Sequence, residues 1–101
     1  MLNLTFDNQF TNLLPGDSET GARQRHLSHA IFARVAPKPA AQPHLMHCSR
    51  EVAEMLGLSE GQCQSDEFVQ AFSGSRILPG MDPHATCYGG HQFGNWAGQL
   101  G

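Results

Sequence analysis

Tyr88-Gly89-Gly90-His91-Gln92-Phe93-Gly94-Asn95-Trp96-Ala97-Gly98-Gln99-Leu100-Gly101 is the stretch on which the reading of this chain turns. Gly90, Gly94 and Gly98 recur every four residues, as along one helix face, while Trp96 and Leu100 also fall on one side of a strand. Five glycines in the last thirteen residues penalise a helix by about 1 kcal/mol each relative to alanine, so the spacing predicts a strand or a loop, with a short strand before it at 85–88. Glycines in series let a backbone approach a phosphate closely and turn its N–H groups toward it. No Lys or Arg lies inside the stretch, the nearest being Arg76. The spacing is neither G-x-G-x-x-G nor G-x-x-x-x-G-K-[ST]. On spacing alone, close backbone packing outranks nucleotide binding.

Two helices are predicted upstream. Over 66–73, Ser65 caps, Asp66 and Glu67 occupy the first turn, Phe68, Val69 and Phe72 face inward, and Gly74 ends the run. Over 50–56, Ser49 caps, Glu51 favours the positive end of the helix dipole, and Val52, Met55 and Leu56 form the buried stripe. Gly57 supplies a left-handed C′ position, and Leu58 folds back on the last turn. Before these helices, Pro37, Pro39 and Pro43 make 36–43 an extended linker, because each ring removes a donor and restricts its predecessor. The run 31–35 reads as a strand with Ile31, Ala33 and Val35 on one face, paired with a second strand at 44–48. At the start, Leu2, Leu4 and Phe6 alternate, then Phe10, Leu13 and Leu14 take helical spacing before the loop 15–22. The expected organisation is an arm and loop (1–22), two strands with a Pro-rich linker (23–48), two helices (49–74) and a Gly-rich segment (75–101). The fold class is α+β.

The chain has 101 residues with six Lys+Arg against nine Asp+Glu, a net charge of −3. One domain is the prior at this length. The missing basic cluster argues against nucleic acid, whose binding requires cations that displace phosphate counterions. No apolar run approaches the roughly 18–20 residues of a membrane span. The opening MLNLTFDNQF does not have the basic start and apolar run of a signal peptide. Three cysteines, Cys48, Cys63 and Cys87, are an odd and sparse set, which fits free thiols in a reducing cytoplasm better than a disulfide scaffold.

His44, His47 and Cys48, and the pair His84 and Cys87, are imidazole and thiolate groups of the kind that bind zinc. No C-x-x-C or H-E-x-x-H accompanies them, and a spacing of three on a strand sends side chains to opposite faces, so no metal ligands are assigned. No nucleophile elbow or catalytic-cysteine signature is present either. A small stand-alone interaction module or a metal-binding module remains the alternative to an enzyme.

The glycine-rich end is similar to the signature of the selenoprotein O family, the YdiU-like proteins of bacteria. Phe32–Pro39, Val52–Leu58, Phe72-Ser73-Gly74, Leu78–Met81 and Pro83–Thr86 resemble further family segments in the same order, so the resemblance covers essentially the whole chain. Asn95 and Ala36 stand where the family commonly has an apolar residue and Ser. The resemblance implies the N-terminal part of a protein-kinase-like fold, an incomplete N-lobe, in a bacterial cytoplasmic enzyme several hundred residues long. It implies a pseudokinase that uses ATP and Mg²⁺ to transfer AMP to Ser, Thr or Tyr hydroxyls of protein substrates. Gly101 falls where the family's G-D-G-R turn begins to contact nucleotide phosphates, and is the one cofactor-binding residue it implies here. The catalytic and metal-binding residues lie downstream in the family. This chain alone is therefore expected to bind neither ATP nor Mg²⁺ and to be inert, and to self-associate through the exposed edge of an unpartnered terminal strand.

Overall fold

A computed structural model describes residues 2–101 and divides the chain into two compact units. One comprises the chain up to Phe6 with Pro37–Met81; the other comprises Asp7–Ala36 with Asp82–Gly101. Both are built from short elements, so the α+β class holds. No helix among the described residues is long and apolar enough to cross a membrane.

The first unit carries three helices, which follow α1 of the other unit in chain order: α2 (Arg50–Met55), α3 (Glu60–Cys63) and α4 (Asp66–Phe72). Each starts on a serine. The Ser49, Ser59 and Ser65 hydroxyl oxygens accept the N–H of Val52, Gln62 and Phe68 at 3.3, 3.1 and 3.2 Å, satisfying donors that a helix start leaves open. Gln62 Oε1 returns the favour by accepting the Ser59 N–H at 2.8 Å, which completes a capping box. The S-x-x-Q spacing of α3 was therefore a start signal, and the helical segment 49–74 holds three helices rather than two.

Two of the helices stop in the same way. Gly57 at φ +74° donates its N–H to Glu54 O at 3.0 Å, and Leu58 donates to Ala53 O at 2.9 Å. Gly74 at φ +81° donates to Ala71 O at 3.2 Å, and Ser75 donates to Gln70 O at 2.9 Å. Both are Schellman turns. The first drives Leu58 into the core beside Leu2, Ala53, Cys63, Phe68 and Leu78.

That turn also corrects the inward stripe expected of α2. Val52, Met55 and Leu56 are exposed, and the buried residue is Ala53. A helix of six residues buries a narrow face, and here that face is the small side chain, with Leu58 supplying the bulk. Phe72, also expected inside, stacks on Phe68 at 4.4 Å between centroids and leaves its outer side exposed. Residues 44–48 form no strand.

The second unit contains α1 (Gln9–Leu13), β1 (Phe32–Arg34), β2 (His84–Thr86), β3 (Tyr88–Gln92) and β4 (Asn95–Leu100). The partner of β1 is β2, antiparallel, with Phe32 opposite Thr86 and Arg34 opposite His84. The strand expected at 44–48 is thus replaced by one beyond both helical runs. On β1 the inward residue is Phe32, 1% exposed, whereas Ile31 is an exposed side chain. Phe32 lies within 5.7 Å of the Phe10 ring and 5.6 Å of His84, and Gly16 runs alongside it, where a Cβ would enter the Phe32 ring. The aromatic ring, rather than the alternation of β-branched residues, decides which face of so short a strand is buried.

The ambiguity over 91–100 resolves as strand. β3 and β4 form an antiparallel hairpin with Gln92 opposite Asn95. Its two-residue turn is Phe93-Gly94, at φ +51° and +82°, the primed geometry that matches strand twist. A bulge interrupts the ladder at Gly90/His91, opposite Gly98, which takes φ +79°. Gly89 leaves room for the Trp96 ring, and Gly90 for Leu100. The terminal strand therefore has a partner within the chain, which corrects its reading as an unpartnered edge.

Candidate functional site at the end of strand β4

The implied cofactor residue, Gly101, follows β4 directly and has φ +86°. A Cβ there would collide with the Thr86 carbonyl oxygen. Only glycine fits, so the strand leaves the sheet as bare backbone. An open cavity of about 390 Å³ runs beside it, lined among others by Arg23, Arg25, Leu27, Cys87 and Gln99.

The cations of this cavity are already engaged. Arg25 Nε donates to Asp17 Oδ2 at 2.6 Å, with side chains only 11% and 7% exposed. Its other nitrogens reach the Arg23 carbonyl at 2.6 Å and the Glu19 carbonyl at 2.9 Å. Arg23 forms a two-bond pair with Glu19 at 2.7 and 2.8 Å. The third arginine of this unit, Arg34, holds Asp82 through two bonds of 3.0 Å. The electrostatics follow the geometry. Hydrogen bonding from Arg25 holds the Asp17 carboxyl below the usual range. Arg23 does the same to Glu19, and Arg34, with help from Thr11, to Asp82.

Against the needs of a nucleotide, these residues fit one part. The Gly101 backbone can lie against a phosphate and present its N–H, as a glycine-bared strand end does. Free positive charge is missing beside it, because every arginine of the unit is paired with a carboxylate.

The other candidate residues do not assemble. Among the described residues no group of three His, Cys, Asp or Glu side chains is placed to hold a metal ion. His84 stacks on Phe10 at 5.3 Å, its Nδ1 2.9 Å from the Asp82 carbonyl oxygen. Cys48, Cys63 and Cys87 are free thiols, and burial pushes the Cys63 thiol up, away from the reactive thiolate. The sequence reading missed Gln99, Arg25 and Asp17. Gln99 bonds to the backbone of Arg25 and Leu27, more than seventy positions away, and no local pattern marks such a pairing.

Comparison with known proteins bears on residues 18–101, which match the family model described as "Protein adenylyltransferase SelO". A protein of Azoarcus sp. (strain BH72) named "Protein nucleotidyltransferase YdiU" is 55% identical over 98 residues, covering 97% of this chain and 19% of that protein. Its namesake from Aromatoleum aromaticum is 50% identical over 101 residues, covering the whole chain and 19% of the relative. Another from Rhodopirellula baltica is 50% identical over 98 residues, covering 97% of this chain and 18% of that protein. The chain thus spans about a fifth of the length of the curated relatives it matches. No solved structure matches it.

Proposed function

Because the chain belongs to the protein adenylyltransferase SelO family, we propose that it is the N-terminal part of a cytoplasmic nucleotidyltransferase with a kinase-like fold. The enzyme moves AMP from ATP onto Ser, Thr or Tyr hydroxyls of proteins, with Mg²⁺. In that reaction a hydroxyl oxygen bonds the α-phosphorus and pyrophosphate leaves. The observation that carries the reading is Gly101. A left-handed, side-chain-free residue follows β4 at the point where the family resemblance puts the nucleotide-contacting turn.

What the chain contributes is placement. Phosphoryl and nucleotidyl transfer depend on positioning and on cations that neutralise the phosphates. The arginines of this unit are all held by carboxylates, so the countercharge must come from elsewhere in the longer protein. The 101-residue chain alone is then inert. Self-association remains part of the proposal, now through the edge of β4 that faces away from β3, since the sheet they form has two strands.

Label transfer tests this directly. The full-length protein, incubated with Mg²⁺ and ATP labelled at the α- or the γ-phosphate, should pass only the α-label to protein. The 101-residue chain should pass neither. Transfer of the γ-label, or self-labelling by the short chain, overturns the reading. Sedimentation of the short chain at rising concentration checks the association, and a monomer throughout refutes it.

A further inference from the structure

We propose that Gln99 is a positioning residue whose side-chain amide clamps the end of β4 to the loop at 25–27 and so fixes where the Gly101 backbone meets a nucleotide phosphate. The inference rests on the nucleotide reading above and adds to it the residue that sets the geometry.

Both ends of the amide are used. Gln99 Nε2 donates to the Arg25 carbonyl oxygen at 2.8 Å, and Gln99 Oε1 accepts the Leu27 N–H at 2.9 Å. Two bonds from one planar group fix its rotation as well as its distance. Only a glutamine reaches and satisfies both: glutamate has no donor for the carbonyl, asparagine is one methylene short, and leucine offers neither.

The clamp adds a second hold on a short run of backbone. Gln99 and Leu100 pair with Gly89 and Tyr88 of β3, just beyond the bulge at Gly90/His91. Gly98 at φ +79° precedes them and Gly101 at φ +86° follows, so this run lies between two glycines free to turn.

The loop it grips is itself anchored. Arg25 is bonded to the Asp17 carboxylate and to two carbonyls. Asp17 N–H donates to Phe32 O at 2.9 Å, and Gly21 N–H to Arg34 O at 3.1 Å. A continuous run of bonds therefore leads from β1, through Asp17 and Arg25, to the Gln99 amide. Arg25 cannot serve a phosphate while it holds this frame. Its work is to hold the loop that grips the strand end.

The test uses the full-length protein and compares wild type, Gln99→Leu, Gln99→Glu and Arg25→Lys. Two readings are taken: MgATP affinity by calorimetry and hydrogen exchange at the Leu27 amide. Q99L should speed exchange at Leu27 and weaken MgATP by up to about tenfold, the scale of one hydrogen bond lost from the frame. Q99E keeps the acceptor for Leu27 and loses the bond to Arg25, so it should leave Leu27 protected and weaken MgATP by less. Arg25→Lys should weaken MgATP in the same direction and combine with Q99L less than additively, because both act through one frame. Should Q99L not fold, Q99E and Arg25→Lys decide the matter alone. Wild-type affinity in the folded variants overturns the clamp and leaves the nucleotide reading standing. A wild-type enzyme that binds no MgATP overturns the nucleotide reading and this proposal with it, whatever Leu27 exchange shows.

Discussion

The helical unit and the strand unit of this chain are held by different forces. In the first, Leu2, Ala53, Leu58, Cys63, Phe68 and Leu78 close on one another. Its helix starts and its two Schellman stops are supplied by residues within five positions of the group they serve. In the second, one large side chain, Phe32, is fully buried. Its longest ties are polar, with Arg34 reaching Asp82 across 48 positions and Gln99 reaching Arg25 across 74. Local bonds close small loops at little entropic cost, whereas distant ones need the chain already brought together. The strand unit should therefore lean on few side chains, and the helical unit on many.

The largest effect expected from that contrast is Phe32→Ala. Removing the one fully buried ring should cost about 3–5 kcal/mol, read by urea unfolding, and should expose the Cys87 amide that bonds to Ile31 O at 2.7 Å. A loss below about 1 kcal/mol would break the contrast. Ser65→Ala is the smaller counterpart. It should cost about 1 kcal/mol and loosen only the amides at the start of α4.

The smallest is a slope. Asp17 and Asp82 have carboxyls lowered by their arginines, so their contribution is fully present above the ordinary carboxylate value. It is lost as pH falls through the depressed folded values. Trp96, the only tryptophan, lies in β4 and reports the strand unit. Its fluorescence should lose its folded signal at higher pH than the helical far-ultraviolet signal during acidification. Added salt should flatten the part due to Arg34 and Asp82, which are 42% and 23% exposed. Coincident transitions would erase the distinction between the units.

The same contrast explains what the sequence disclosed. Ser49, Gly57, Ser65 and Gly74 announce α2 and α4 because caps and stops act within a turn of their own residues. Ser59 and Gln62 carried the same kind of signal for α3. The inward faces were misjudged because an amphipathic stripe presumes a helix long enough to have a broad face, and α2 is not. For β1 neither partner nor face was legible. β2 lies beyond the whole helical run, and Phe32 was selected by Phe10, Gly16 and His84, each from a separate segment. At the candidate site, glycine marked Gly101 through its missing side chain, whereas Gln99 acts through bonds that no neighbouring residue foreshadows.

The antiparallel pairing of β1 with β2 has a consequence for the newborn chain. On the ribosome, β1 emerges first, and the 48 positions between Arg34 and Asp82 must follow before its mate is available. At about 5–20 residues per second that is a delay of roughly 2–10 s, during which Phe32 can pack against Phe10 and Gly16 but not against His84 or the β2 strand. The capped helices mature inside this interval. Any chaperone that attends this protein during translation should find its foothold on the waiting strand.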